Sequence, residues 1–335
     1  MKRFSLTATA VLLCLFLIVP AVMAAKKPIL IRFSHVVAEN TPKGWAAKEF
    51  AARVDQELKG KVVVRVFANS QLYDDNQAVE ALSAGFIEMI APSSAKFVGS
   101  VPQLQIFDQP FLFPSVKACH DTIDGPIGQE IFGMLSKRGL KAIAFWDNGF
   151  KQFSNNIRPL IKPEDFKGVK FRIMSSDVLE AQMKTLTAVG LKLPFSEVYN
   201  ALEQGVVDGQ ENTASNIYSK KFHEVQKYMT LSDHGYIGYL VTTSDAFWKK
   251  LPADIRTALE RILKEVTLAE RDKAMELNVK QLALIKEYAQ RSGKLNIHTL
   301  TGAEKKVMQK ALEPVHKMTP DIIPVSWIEQ IYNMK

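Results

Sequence analysis

The 335-residue chain carries 43 Lys and Arg against 35 Asp and Glu, a formal charge of +8, and 47% of its residues are hydrophobic. That length exceeds one hydrophobic core, so two lobes are expected, and the basic balance favours anionic ligands or a membrane surface. Basic residues are interleaved with acids, without a basic block or an aromatic ladder, which excludes nucleic acid as the expected partner.

The N-terminus has the pattern of a secretory leader over residues 1–24. Lys2 and Arg3 precede the apolar run Val11 to Val19, and Val22-Met23-Ala24 supplies small residues for cleavage near Ala24. The mature chain then starts at Ala25 or Lys26. The run is too short and wrongly flanked for a membrane span, and no later stretch approaches about 18 consecutive apolar residues. Cys14 raises lipidation, but bulky Val11-Leu12-Leu13 precede it and the apolar run continues past it. Without the leader one cysteine remains, Cys119, so no intramolecular disulfide forms. Beside His120 it reads as a structural thiol on a helix rather than a metal ligand, and no cofactor is expected.

Ile29 to Ser34 reads as a first strand. Thr41-Pro42 starts a helix whose apolar stripe is Ala46, Phe50, Val54 and Leu58. Val62 to Phe67 is a second strand, Asp74-Asp75 caps a helix through Leu82 that Gly85 ends, and Phe86 to Ala91 is a third strand. This β-α-β-α-β order predicts a parallel sheet with helices on its faces. A proline-punctuated loop follows from Pro102 to Pro114, then one helix from Ser115 to Arg138 and the strand Lys141 to Phe145. Near Asn148-Gly149 the alternation restarts with a strand at Val169 to Ile173, a helix Asp177 to Ala188, the strand Leu191 to Leu193 and a helix Glu197 to Gln204. Tyr228 to Thr243 is β-rich and returns to the first lobe. Ala253 to Gln290 is a long amphipathic helical run. The fold class is therefore α/β, two units with interleaved connections.

Arg172 sits inside the β-branched and aromatic run Val169-Lys170-Phe171-Arg172-Ile173. A guanidinium is costly to bury alone, so it faces an anion: a ligand carboxylate, or an internal acid such as Glu211 or Asp208. The chain lacks a Walker-type glycine loop, a Gly-x-Ser-x-Gly elbow and a His-Glu-x-x-His pair, which points to recognition rather than to bond-breaking chemistry.

Several segments together resemble one family: FSHVVAENTPKG, VFANSQLYDD, EALSAGFIEMIAPSSAKF, FDQPFLF, WDNGFKQFSNNIRP, FKGVKFRIMSS and PFSEVYNALEQGVVDGQEN. They are similar to the periplasmic solute receptors of the tripartite ATP-independent periplasmic (TRAP) transporters, in the dicarboxylate-binding DctP branch. The resemblance implies a two-lobed, type II-like periplasmic binding protein with a hinge and a long helix bridging both lobes. It divides the chain into 25–148 with 238–277, and 149–237 with 278–335. It also implies that a small carboxylate is trapped by cleft closure and passed to a separate membrane permease; nothing in the sequence demands more than a monomer.

By the same resemblance Arg172 forms a salt bridge with the ligand carboxylate and Asn212 donates an amide to the same end. Lys151, in GFKQFSNN, is a second basic contact. For the ligand's far end the candidates are Lys43 at a helix start, Lys96 and the serines Ser93 and Ser94. His35, Asn216, His234, Tyr236 and Tyr239 complete the candidate wall. The expected ligand is succinate, malate or fumarate. The alternatives are another organic acid (2-oxo acid, uronate, sialic or aromatic acid) and, more distantly, an exported hydrolase.

Overall fold

The computed structural model describes residues 27–318 and 321–334; the leader lies outside the described residues. In chain order the elements begin with β1 (Ile29–Ser34), α1 (Pro42–Glu57), β2 (Val62–Phe67), α2 (Asp75–Ser83), β3 (Met89–Ile90), α3 (Val116–Asp124), α4 (Pro126–Ser136) and β4 (Leu140–Phe150). They continue with β5 (Gln152–Asn155), β6 (Lys170–Ile173), α5 (Asp177–Thr185), β7 (Val189–Lys192), α6 (Val198–Glu203), β8 (Gly209–Asn212), α7 (Ala214–Ser219) and β9 (Tyr228–Leu231). The last are β10 (Tyr236–Ser244), α8 (Asp245–Lys250), α9 (Ala253–Ser292), β11 (Asn296–Thr299), α10 (Gly302–Leu312) and α11 (Val325–Tyr332).

Local sequence accounts for the helix starts. Thr41 Oγ1 accepts from Gly44 N at 3.2 Å, with Pro42 in the first helical position of α1. Asp74 and Gln77 form a reciprocal capping box at α2. The stripe of Ala46, Phe50 and Val54 is fully buried against the first core. A fully buried Phe or Val contributes roughly 1.5–3 kcal/mol relative to exposure.

Two sheets form. One runs β2-β1-β3-β10-β4 and the other β11-β9-β5-β8-β6-β7. The first three strands pair in parallel, as the alternation predicts. The sheet is nevertheless mixed, because β10 inserts antiparallel between β3 and β4. The β-rich stretch expected to return as one piece is split: β9 pairs with β5 and β11 in the second sheet, and only β10 joins the first.

Three further expectations change. The third strand shrinks to Met89–Ile90, with Phe86 exposed. The strand expected at Lys141 to Phe145 extends to Phe150. The single helix expected from Ser115 to Arg138 is two helices broken at Gly125-Pro126, since proline lacks an N–H and disfavours helical backbone before it. The break lets α4 fold onto α3 so closely that a Cβ on Gly128 would lie 1.8 Å from the Ile123 carbonyl oxygen.

The chain crosses between sheets three times, twice by short segments and once, from β10 to β11, through α9. Lys151 alone separates β4 from β5, and Ser232 to Gly235 separate β9 from β10. The two short crossings are tied by Lys151 N donating to Gly235 O at 2.8 Å. A Cβ on Gly235 would meet Lys151 Cε at 2.5 Å, so a side chain there would displace the buried lysine.

The 40-residue α9 spans both lobes, packing on α1 and β4 of the first and on α7 and β11 of the second. Its buried residues change accordingly, from Leu259, Ile262, Leu263 and Val266 in the first core to Ile285 in the second.

Candidate functional site

Between the lobes lies a small, nearly filled cavity of about 20 Å³, room for about one water molecule. From the first lobe come Val36 and Val37 after β1, Asp75 at the start of α2, Ser93 and Lys96 after β3, and Ile237 and Tyr239 on β10. The second lobe gives Arg172 and Met174 at the end of β6, Phe195, Asn212 at the end of β8 and Asn216 on α7. The walls are thus strand ends and helix starts, where backbone direction aims side chains inward.

Arg172 is buried, and the alternative of an internal ion pair does not apply: among the described residues no carboxylate lies within ion-pairing distance of it. Its Nε donates to Leu193 O at 3.0 Å, and the guanidinium lies 5.9 Å from the Phe195 ring centre. The terminal amino groups have no protein partner among the described residues, which leaves the pair of parallel donors that suits a carboxylate. Burial lowers its pKa to about 10, with Glu211 and Asp75 working against that shift. At neutral pH it remains a cation.

Asn212 Oδ1 accepts from Thr213 N at 3.1 Å and from Asn216 Nδ2 at 2.8 Å, so the amide is oriented with its NH₂ as the remaining donor. Asn216 Nδ2 also donates to the Tyr239 hydroxyl at 3.3 Å. Ser93 is bridged to Tyr239 through the backbone, and its buried hydroxyl has no partner among the described residues. Lys96 donates to Asn76 Oδ1 at 3.0 Å and, across the cleft, to Ser175 Oγ at 3.4 Å. Its pKa is lowered mainly by burial.

The structure thus brings Arg172, Asn212, Lys96, Ser93, Asn216 and Tyr239 to one cavity. It does not bring the other candidates to the wall. Lys43 is fully buried beneath it, donating to Ala91 O at 2.6 Å and lying 3.6 Å over the Tyr239 ring. Burial lowers its pKa to about 8, against the opposing pull of Asp75. His35 packs edge-on to Phe33, and burial, aided by Lys43, drives its pKa down to about 3. Tyr236 is buried edge-on to Phe150, and Ser94 lies in the buried turn Ser94–Phe97.

Lys151 occupies the crossing itself. Its Nζ donates to Glu211 Oε1 at 2.6 Å, with both side chains buried. The other Glu211 oxygen meets His234 Nε2 at 2.8 Å and Gln182 Nε2 at 3.1 Å. Burial alone would raise the Glu211 carboxyl, but Lys151 and His234 together hold it at about 2. This is an internal network that ties the crossings together, a role the isolated motif around Lys151 does not reveal.

Sequence reasoning passed over Asp75, Val36, Val37, Met174, Phe195 and Ile237. Asp75 was legible only as half of the helix-capping pair Asp74-Asp75. The apolar five carry no signal that separates a cavity wall from a core.

A larger, open depression beside β9 and β11 is lined by residues including Gln226, Lys227, Lys286 and Asn296. It shares no residue with the interlobe cavity. Enclosure and convergent donors favour the cavity as the site, because burying most of a small ligand's surface is what such sites do. Among the described residues no group of His, Cys, Asp and Glu is placed to hold a metal ion, and no helix is long and apolar enough to cross a membrane.

Residues 33–320 match the model of the family described as bacterial extracellular solute-binding protein, family 7, DctP. The C4-dicarboxylate-binding periplasmic protein DctP of Rhodobacter capsulatus is 45% identical over 297 residues, 88% of each chain. A TRAP periplasmic solute-binding protein from Sulfurospirillum deleyianum, solved with bound succinate, superposes with a TM-score of 0.89 at 48% identity, over 92% of this chain and 99% of that one. A Pseudomonas aeruginosa counterpart solved with bound L-malate gives 0.82 at 40% identity, over 87% and 99%. These similarities cover both lobes and agree with the two mixed sheets and their bridging helix. The chain therefore belongs to the DctP family of TRAP solute-binding proteins, a family of non-enzymatic, type II-like periplasmic receptors.

Proposed function

We propose that this protein binds a C4-dicarboxylate dianion in the interlobe cavity and delivers it to the membrane permease of a TRAP transporter. The observation that carries the reading is the pair of cations on opposite walls, Arg172 with two unengaged amino groups and Lys96 reaching across the cleft. One carboxylate of the ligand sits on Arg172 and Asn212, and the other lies toward Lys96 and Ser93.

Charge supports a dianion over a monoanion. Arg172, Lys96 and Lys43 stand against the single carboxylate of Asp75 around the cavity, and His35 is neutral at pH 7. Two surplus positive charges match two carboxylates. The binding proteins from S. deleyianum and P. aeruginosa, with succinate and L-malate respectively, support the same class.

The working cycle is a two-state closure. The lobes hinge at Lys151 and the segment Ser232 to Gly235, a few residues from the bounds 148/149 and 237/238 that the resemblance implies. The ligand favours the closed form only through contacts that both lobes make at once. Each charge-assisted hydrogen bond contributes roughly 1.5–3 kcal/mol net to the closed form. The leader over residues 1–24 sends the protein to the periplasm, where it works as a monomer.

Calorimetric titration of succinate into wild type and Arg172→Ala tests the reading. The wild type binds in the micromolar range, and the variant loses at least about a hundredfold while keeping its thermal unfolding transition. Equal affinity in a folded variant would sink the assignment.

A further inference from the structure

Asp75 is out of place in an anion site. It is the first residue of α2, its side chain is about nine-tenths buried, and it lines the cavity beside Arg172, Lys96, Ser93, Asn212 and Tyr239. The helix is capped by its neighbour: Asp74 accepts from Asn76 N and Gln77 N, so Asp75 is not needed for the cap. Among the described residues no donor is hydrogen-bonded to the Asp75 carboxylate and no cation lies within ion-pairing distance of it. Lys43 and Lys96 act on it only through space, opposing the effect of burial.

An ionised carboxylate only accepts hydrogen bonds. A ligand whose carboxylates occupy Arg172, Asn212 and Lys96 brings no donor of its own to Asp75 unless its carbon chain carries one. A buried acceptor left without a donor weakens binding, and a site with such an acceptor discriminates against analogues that lack the matching hydroxyl. We infer that Asp75 is a specificity-determining residue that accepts a hydrogen bond from a hydroxyl on the ligand chain, so that the site selects hydroxylated C4 diacids of the malate type over unsubstituted ones. This inference rests on the dicarboxylate reading above. With succinate, Asp75 is left to a water molecule or has to take up a proton.

The test is calorimetric titration of L-malate and of succinate into the wild type and into Asp75→Ala. The wild type binds L-malate roughly tenfold more tightly than succinate, and the variant brings the two affinities to within about a factor of two, chiefly by weakening L-malate. Equal wild-type affinities, or a preference that survives in the variant, would overturn the inference while leaving the dicarboxylate reading standing. Failure of both diacids to bind the wild type would overturn that reading and this inference with it. Equal wild-type affinities are decisive against the inference by themselves, whatever the variant's stability.

Discussion

Arg172 and Lys151 are both buried basic residues in the second sheet region, and they differ in what they touch. Lys151 is neutralised by Glu211 at 2.6 Å, whereas Arg172 spends one N–H on a backbone carbonyl and keeps its amino pair for the cavity. From sequence both looked like ligand contacts. The position of Arg172 at a cavity wall was legible because a guanidinium in a short apolar strand needs an anion. The partner of Lys151 lies 60 positions away, in a segment read as ligand-facing, and no local signal connects them.

His35 offers a prediction at the same scale. In the folded protein its pKa is about 3, below the ordinary 6.5, because of burial and then Lys43. Unfolding therefore takes up a proton at any pH between those values, so the stability associated with a neutral His35 is fully present above about pH 6.5 and lost as the pH falls toward 3. His35→Asn cannot titrate there. Measured by urea unfolding, the stability of the variant relative to wild type should rise by about 1.4 kcal/mol per pH unit as the pH is lowered from about 6 to about 4. A difference that stays flat over that range contradicts a neutral, buried His35.

Elements were most legible where period and cap agree. Thr41-Pro42, Asp74 with Gln77, and the strands around β1 and β2 follow from side-chain chemistry a few residues apart. The failures came where a neighbour distant in sequence decides. The apolar run through α3 and α4 has continuous helical periodicity, yet Pro126 breaks it and Gly128 lets the two pieces touch. Gly128→Ala should cost about 1–3 kcal/mol through the clash of its Cβ with the Ile123 carbonyl. The midpoint of thermal unfolding reports it: a fall of several degrees is expected, and an unchanged midpoint would show that the two helices are not packed this closely.

At the scale of the molecule, alternation of strands and helices gave the α/β class, and length gave two lobes. The sheet order was not legible. Pairing Thr242 with Ile90 and Tyr236 with Phe150 depends on which edge remains open after the first three strands have formed, a matter of three-dimensional packing. The crossings were partly legible, since Gly149 stands one residue from the end of β4 and two before Lys151. The shape of the cavity follows from those non-local pairings, which bring Arg172 opposite Lys96 although neither segment encodes the other.

A crystal structure of the protein grown with succinate tests the central claim most directly. Electron density for the diacid is expected in the interlobe cavity, with one carboxylate bidentate on Arg172 and within hydrogen-bonding distance of Asn212, and the other toward Lys96 and Ser93. Succinate bound outside that cavity, or a cavity filled by solvent alone at saturating ligand, would contradict the account.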